Sequence, residues 1–227
     1  MNEIDLDKSE VHDFNVMLHN IHGKNNENSF RVINPNGKHN IAVGVDAEAD
    51  ITIDGHAGHY VGGMNKHANI TVTGNAGAGV GENIMSGVVR VKGNSSQYTG
   101  ATGRGGLIVI EGDAAARCGI SMKGVDIVVG GSVGHMCAFL GQSGNVVICG
   151  DAGDDLGDSI FEMQIFVQGK IKSLGHDCEE KEMGPEQLAT LTELLDKAQI
   201  KADPKKFKVY GPARTLYNFK IDNASLS

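Results

Sequence analysis

The sequence predicts an all-β solenoid, a right-handed parallel β-helix of about seven 19-residue coils with short N- and C-terminal helical caps. Three observations carry this prediction. Glycine recurs at Gly55, Gly74, Gly93, Gly112, Gly131, Gly150 and Gly169, always 19 residues apart. Two and four residues before each glycine stands a β-branched apolar residue, from Ile51 and Ile53 to Ile165 and Val167. Small residues recur at a second corner, Gly62, Gly81, Gly100, Gly119 and Gly157, with Ala138 as the exception.

Each unit therefore reads branched–x–branched–x–Gly. Alternation with a period of two marks a strand with one buried face, and β-branched side chains suit a pleated, packed surface. The glycine turns the chain, either at positive φ or in a corner too tight for a Cβ. A second set of small residues, Ala57, Ala76, Ser95, Ala114, Val133 and Ala152, follows two residues after the glycines. Corners that recur in register imply coils stacked directly on one another. A 19-residue unit is too short for a helical-hairpin repeat or a propeller blade, and it lacks the leucine-rich signature. At about 4.8 Å per coil the rod would be on the order of 34 Å long.

The flanks divide the chain into three parts: residues 1–39, a helix and lead-in strand; residues 40–175, the β-helix; and residues 176–227, a helix and aromatic tail. Val11, Phe14, Leu18 and Ile21 form a helical stripe, with Ser9 as the expected N-cap and Gly23 as the expected stop. Phe30–Asn34 and Ile41–Val45 read as short strands. Pro185 opens a second helix with Leu188, Leu191, Leu194, Leu195 and Ala198 on one side. Both open ends of the rod need covers, and these segments are the expected ones.

Composition bounds the function. The 227 residues include 32 glycines, roughly twice the usual share of about 7%. The net charge of −8 and the lack of a basic stripe argue against nucleic acid or anionic membrane as the main partner. The acidic run from Asp177 to Glu182 reads as a solvated loop. The four cysteines, Cys118, Cys137, Cys149 and Cys178, form no C-x-x-C and match no zinc or iron–sulfur spacing. The first twenty residues are charged throughout and resemble no signal peptide, and no stretch approaches the roughly 20 apolar residues of a membrane span. A cytoplasmic protein with reduced thiols is expected.

Candidate chemistry is sparse. Gly77-Ala-Gly-Val-Gly81 looks like a phosphate loop but lacks GxGxxG spacing, and it falls on a corner where glycine is already expected. Asp151, Asp154, Asp155 and Asp158 could suggest calcium, but calcium-binding β-rolls use nine-residue units, so these read as a solvated turn. His56, His59 and His135 read as exposed turn residues. Cys118 and Cys137, 19 apart, should stack in the interior. No catalytic, cofactor-binding or metal site is expected on this chain.

The repeat Ile-Thr-Val-Thr-Gly-Asn-Ala-Gly-Ala-Gly-Val-Gly (70–81) resembles the GXGXG domain, the C-terminal β-helix of the large glutamate synthase subunit, found also in a formylmethanofuran dehydrogenase subunit. The ending Tyr210-Gly-Pro-Ala-Arg-Thr-Leu-Tyr-Asn-Phe-Lys-Ile-Asp-Asn-Ala (to Ala224) resembles the tail of stand-alone GXGXG subunits of N-methylglutamate synthase and related complexes. That resemblance implies a non-catalytic subunit bridging a glutamine-amidotransferase-like chain and a synthase chain carrying FMN and an iron–sulfur cluster. It implies the reaction of methylamine and glutamate to N-methylglutamate and ammonia, with the chemistry on the partners. The amidotransferase nucleophile would be an N-terminal cysteine, and Asn2 follows Met1 here. Other glutamate-synthase-like or formylmethanofuran dehydrogenase complexes are the alternative, and an independent β-helix enzyme is a more distant one. Tyr210, Arg214, Tyr217 and Phe219 stand outside the repeat and are the expected partner contacts, or else a seal on the last coil.

Overall fold

The structure is a computed structural model and describes residues 1–21 and 28–214. Its strands are β1 (Asn2–Asp5), β2 (Ser29–Ile33), β3 (Asp50–Asp54), β4 (Asn69–Val72), β5 (Val88–Val91), β6 (Leu107–Ile110), β7 (Lys123–Val129), β8 (Ser143–Ile148), β9 (Glu162–Val167), β10 (Cys178–Lys181) and β11 (Lys208–Pro212). The helices are α1 (Val11–His19) and α2 (Pro185–Ala198). One sheet runs β1 to β9 in sequence order, then β11 and β10. β1 to β9 are parallel, so the chain climbs one rung per coil.

The register is the one the repeat predicts. Ile51 pairs with Ile70, Ile70 with Val89, and the row continues through Ile108, Ile127, Val146 and Ile165. The second row, Ile53 to Val167, lies beside it, and all fourteen side chains belong to one buried core. Burying each is worth about 1.5–3 kcal/mol before entropic costs. The small residues form a second parallel ladder from Ala57 to Ala152, which ends on Ile171.

The ladder also reaches further towards the N-terminus than the exact repeat. β2 pairs in register with β3, placing Phe30 beside Ile51 and Val32 beside Ile53. Ile41–Val45 is not a strand. It is a corner, with Asn40, Ala42 and Gly44 in the left-handed region. The pairing offset here is larger than 19, which is why the repeat arithmetic missed this coil.

That corner recurs through the rod. Residues five, seven and nine after each turn glycine from Gly55 to Gly150 are left-handed, as in Tyr60, Gly62 and Met64 at φ 62°, 65° and 55°. The hydrogen bonds explain the alternation. Tyr60 N–H donates forward to Ala78 O, Gly62 N–H back to Ile41 O, and Met64 N–H forward to Glu82 O. Each reversal of direction needs the backbone flipped, and the three bonds these positions make between adjacent coils offset the cost of left-handed L-residues.

The outward x positions change along the rod. Thr52, Thr71 and Arg90 are half-exposed, whereas Val109, Val128, Val147 and Phe166 are fully buried. The cover is α2, whose Leu191, Leu194, Leu195 and Ala198 form a second core with those four residues, Phe207 and Val209. Arg90 fixes its end: one guanidinium nitrogen donates to Ala198 O at 2.8 Å, and the other pairs with Glu111 at 3.0 Å. A cation at the carbonyl end of a helix is favourable.

The two ends are closed by different means. At the start, α1 inserts Phe14 and Leu18 into the main core, with Phe14 edge-on to Phe30 at 5.9 Å. Asn15 donates to Asn40 O and accepts from Ala42 N–H, and His19 bonds Val43 O, so α1 satisfies corner groups that no earlier coil reaches. Ser9 is not the N-cap. Glu10 holds that place without a side-chain bond, and Gly23 lies outside the described residues. At the far end the cover is β11, antiparallel to β9, rather than α2, which lies along the side. The acidic run is not a loop. It contains β10, the outermost strand, whose exposed Glu179, Glu180 and Lys181 suit a protected edge.

Candidate functional site

The turn glycines are steric rather than conformational requirements. Among the seven, Gly55 alone has positive φ. A Cβ on Gly74 would lie 2.7 Å from Gly55 O, and one on Gly112 would lie 2.1 Å from Asn94 Oδ1 and 2.9 Å from Gly93 O. Gly93, Gly131, Gly150 and Gly169 meet the preceding coil in the same way. The conformational glycines are those of the other column, Gly62 to Gly157, where Ala138 also sits at φ 63°.

The residue after each turn glycine forms a side-chain ladder that the repeat arithmetic did not reveal. His56 Nδ1 accepts from Asn75 N–H, Asn75 Oδ1 from Asn94 N–H, and Asn94 Oδ1 from Asp113 N–H. Asp113 Oδ1 then accepts from Ser132 N–H, Ser132 Oγ from Asp151 N–H, and Asp151 Oδ1 from Lys170 N–H. Every rung is 2.7–3.0 Å. The signal in the sequence was the run of short polar side chains at one position, each with an acceptor.

This ladder and other bonds between coils absorb several residues that could otherwise carry chemistry. His59 Nδ1 accepts from Ala78 N–H, and the His59 backbone N–H donates to His39 Nδ1, with the two rings stacked at 4.4 Å. A nitrogen that accepts a backbone N–H is not free to bind a metal. His135 is exposed on a separate coil. In the glycine loop, the amides of Gly77, Ala78, Gly79 and Gly81 all donate to neighbouring coils, so they cannot also cradle a phosphate. Asp151 belongs to the ladder, Asp154 pairs with Lys172, and Asp158 accepts from Ser159 and His176. Among the described residues, no three His, Cys, Asp or Glu side chains converge as metal ligands. An open polar groove of about 590 Å³ passes Asp50, Lys66, His67 and Asn69. There Lys66 is paired with Asp46, and Asn69 donates to Asp50.

Cys118 and Cys137 lie fully buried in the core, as their spacing predicts. The neighbouring Cys118 thiol and burial push the Cys137 thiol well above its ordinary range. Burial pushes Cys149 and Cys178 up to about 11. At neutral pH that leaves their thiolate fraction about a hundredfold below an ordinary thiol's. The native protein at pH 7.5 is therefore expected to react slowly with an aromatic disulfide reagent. All four thiols, reduced here, should react at once in guanidinium. One rapid equivalent in the native state would overturn this placement.

The four expected contact residues have different fates. Tyr210 is 7% exposed and packs within the chain, its hydroxyl 3.4 Å from Glu180. Arg214 is exposed, with Nε 3.3 Å from Asp177. Tyr217 and Phe219 lie outside the described residues. Among the described residues, no helix is long and apolar enough to cross a membrane.

Comparison with known proteins adds two findings. The profile of the family described as GXGXG motif matches residues 14–220. The chain is also 57% identical over 222 residues to Protein GlxC of Rhizobium meliloti (strain 1021), a match covering 97% of each chain.

Proposed function

This chain belongs to the GXGXG family, and on that premise we propose that it is a non-catalytic scaffold subunit of a glutamate-synthase-like complex in the cytoplasm. The observation that carries the reading is the match through nearly the whole chain to the GXGXG family, together with the likeness to Protein GlxC over 97% of each chain. The placement of the candidate residues is in keeping with it: His56, His59, Asp113 and Asp151 accept hydrogen bonds from adjacent coils, and Cys118 and Cys137 are buried.

The finer assignment is to N-methylglutamate synthase, and it rests on the tail from Tyr210 to Ala224. In that reading methylamine and glutamate give N-methylglutamate and ammonia on the partner chains. One partner is amidotransferase-like, and the other carries FMN and an iron–sulfur cluster. The rod's part is to hold the two in fixed relation.

The test is purification of the tagged chain from its own cells and, separately, of the chain alone. The first preparation should contain both partners, a flavin spectrum and methylamine-dependent formation of N-methylglutamate. The second should be colourless and inactive. A stoichiometric flavin or turnover in the chain alone would overturn the scaffold reading. Partners of another kind would reassign the complex.

A further inference from the structure

Two outward columns run side by side along the rod, nine and eleven residues after each turn glycine from Gly55 to Gly150. The first holds Met64, Asn83, Thr102, Ser121, Leu140 and Ser159. The second holds Lys66, Met85, Arg104, Lys123, Gln142 and Phe161. Between them Asn65, Ile84, Met122 and Ile160 point inward and are buried. Backbone bonds from Arg104 to Ile84, Lys123 to Gly103 and Gln142 to Met122 keep the rungs in register.

The middle of this strip is basic and its flanks are apolar. Arg104 and Lys123 are exposed on adjacent rungs, about 4.8 Å apart at the backbone. Among the described residues neither makes an ion pair or a side-chain hydrogen bond. Elsewhere Lys66, Arg90, Lys172, Lys181 and Lys208 all have carboxylate partners. Here two unpaired like charges share one face of the rod with exposed apolar side chains, in a chain of net charge −8. On either side stand Met64, Met85 and Leu140, exposed at 48%, 43% and 40%.

Folding gains little from those apolar side chains. Met64 and Leu140 both sit at φ 55°, a costly conformation for a large L-residue. Asn83, Thr102, Ser121 and Ser159 adopt the same backbone in the other coils with polar side chains. The column thus needs a left-handed residue but does not need an exposed methionine or leucine.

We propose that this strip is the docking surface for a different protein chain, one that sets carboxylates against Arg104 and Lys123 and apolar side chains against Met85 and Leu140. The inference rests on the reading of this chain as a subunit. Arginine and methionine are enriched at interface centres, and complementary charge sets orientation and register.

A carbodiimide tests the pairing directly. It adds to a carboxylate oxygen, the Lys123 amine then attacks the activated acyl carbon to form an amide, and the C–O bond breaks so that the reagent leaves as its urea with that oxygen. In the complex purified through this chain, Lys123 should be found joined to an Asp or Glu of another chain. Arg104→Glu with Lys123→Glu should lower recovery of that chain at least tenfold, with the melting temperature unchanged. Met85→Gln with Leu140→Gln is the second variant, should charge reversal impair folding, and it should weaken recovery in the same direction. Full recovery with folded variants would overturn the proposal alone. So would Lys123 joined only to a second copy of this chain. A wild-type chain that purifies with no other chain would overturn the subunit reading and the proposal together.

Discussion

Ile110→Asp is expected to leave no folded, soluble rod. Ile110 is fully buried, paired with Val91 below and Val129 above. The substitution removes a branched side chain from a close-packed row, which costs about 2–5 kcal/mol. It also places a carboxyl group there with no polar partner, at a further few kcal/mol. The sum rivals the 5–15 kcal/mol that a whole domain has to lose. Soluble yield and a thermal melt by circular dichroism provide the check. An unchanged melting temperature would mean that the row is not where the structure puts it.

Gly112→Val is expected to cost about 3 kcal/mol by overpacking and loss of a bond. The added Cβ would lie 2.1 Å from Asn94 Oδ1, the atom that accepts from Asp113 N–H. The intruding side chain must therefore unhook a rung of the side-chain ladder or push two coils apart. Glu111→Ala is the control. Glu111 is exposed and loses only its pair with Arg90, a cost of about 1 kcal/mol or less. Urea unfolding of both variants should separate them by at least twofold in lost stability. Equal losses would place Gly112 at the wrong point of the coil.

Much of the fold was legible because the repeat reports its own geometry. The branched rows, their register and the small-residue ladder follow from spacing alone. The two glycine columns were harder to tell apart. One tolerates Ala138, as a left-handed position does, at some cost. The other admits no Cβ from Gly74 to Gly169, as a steric contact requires. That difference was in the sequence, though its meaning required the coils in place. The change at x positions from Thr52, Thr71 and Arg90 to Val109, Val128, Val147 and Phe166 was also readable, as strands covered on both faces. Which segment covered them was not, since α2 and β11 lie outside the repeat and their placement depends on contacts distant in sequence. Tyr60, Tyr98, Arg117 and Met136 gave no local sign of their left-handed backbone, because hydrogen bonds to adjacent coils impose it. The candidate site followed the same division. The expected stack of Cys118 on Cys137 was legible from spacing. The strip around Arg104 and Lys123 became visible only once successive coils were laid beside one another.

The one-sided cover given by α2 has a consequence for how the rod comes apart. A solenoid's stability is close to a sum over neighbouring coils, so unequal coils open unequally. β6 to β9 are sealed inside and out, whereas β3 and β4 keep their outer faces in water. Amide protons of β3 and β4 should then exchange with solvent through partial openings that leave β6 to β9 intact. Arg90, holding Ala198 across 108 residues of sequence, sits at the boundary between the two regimes.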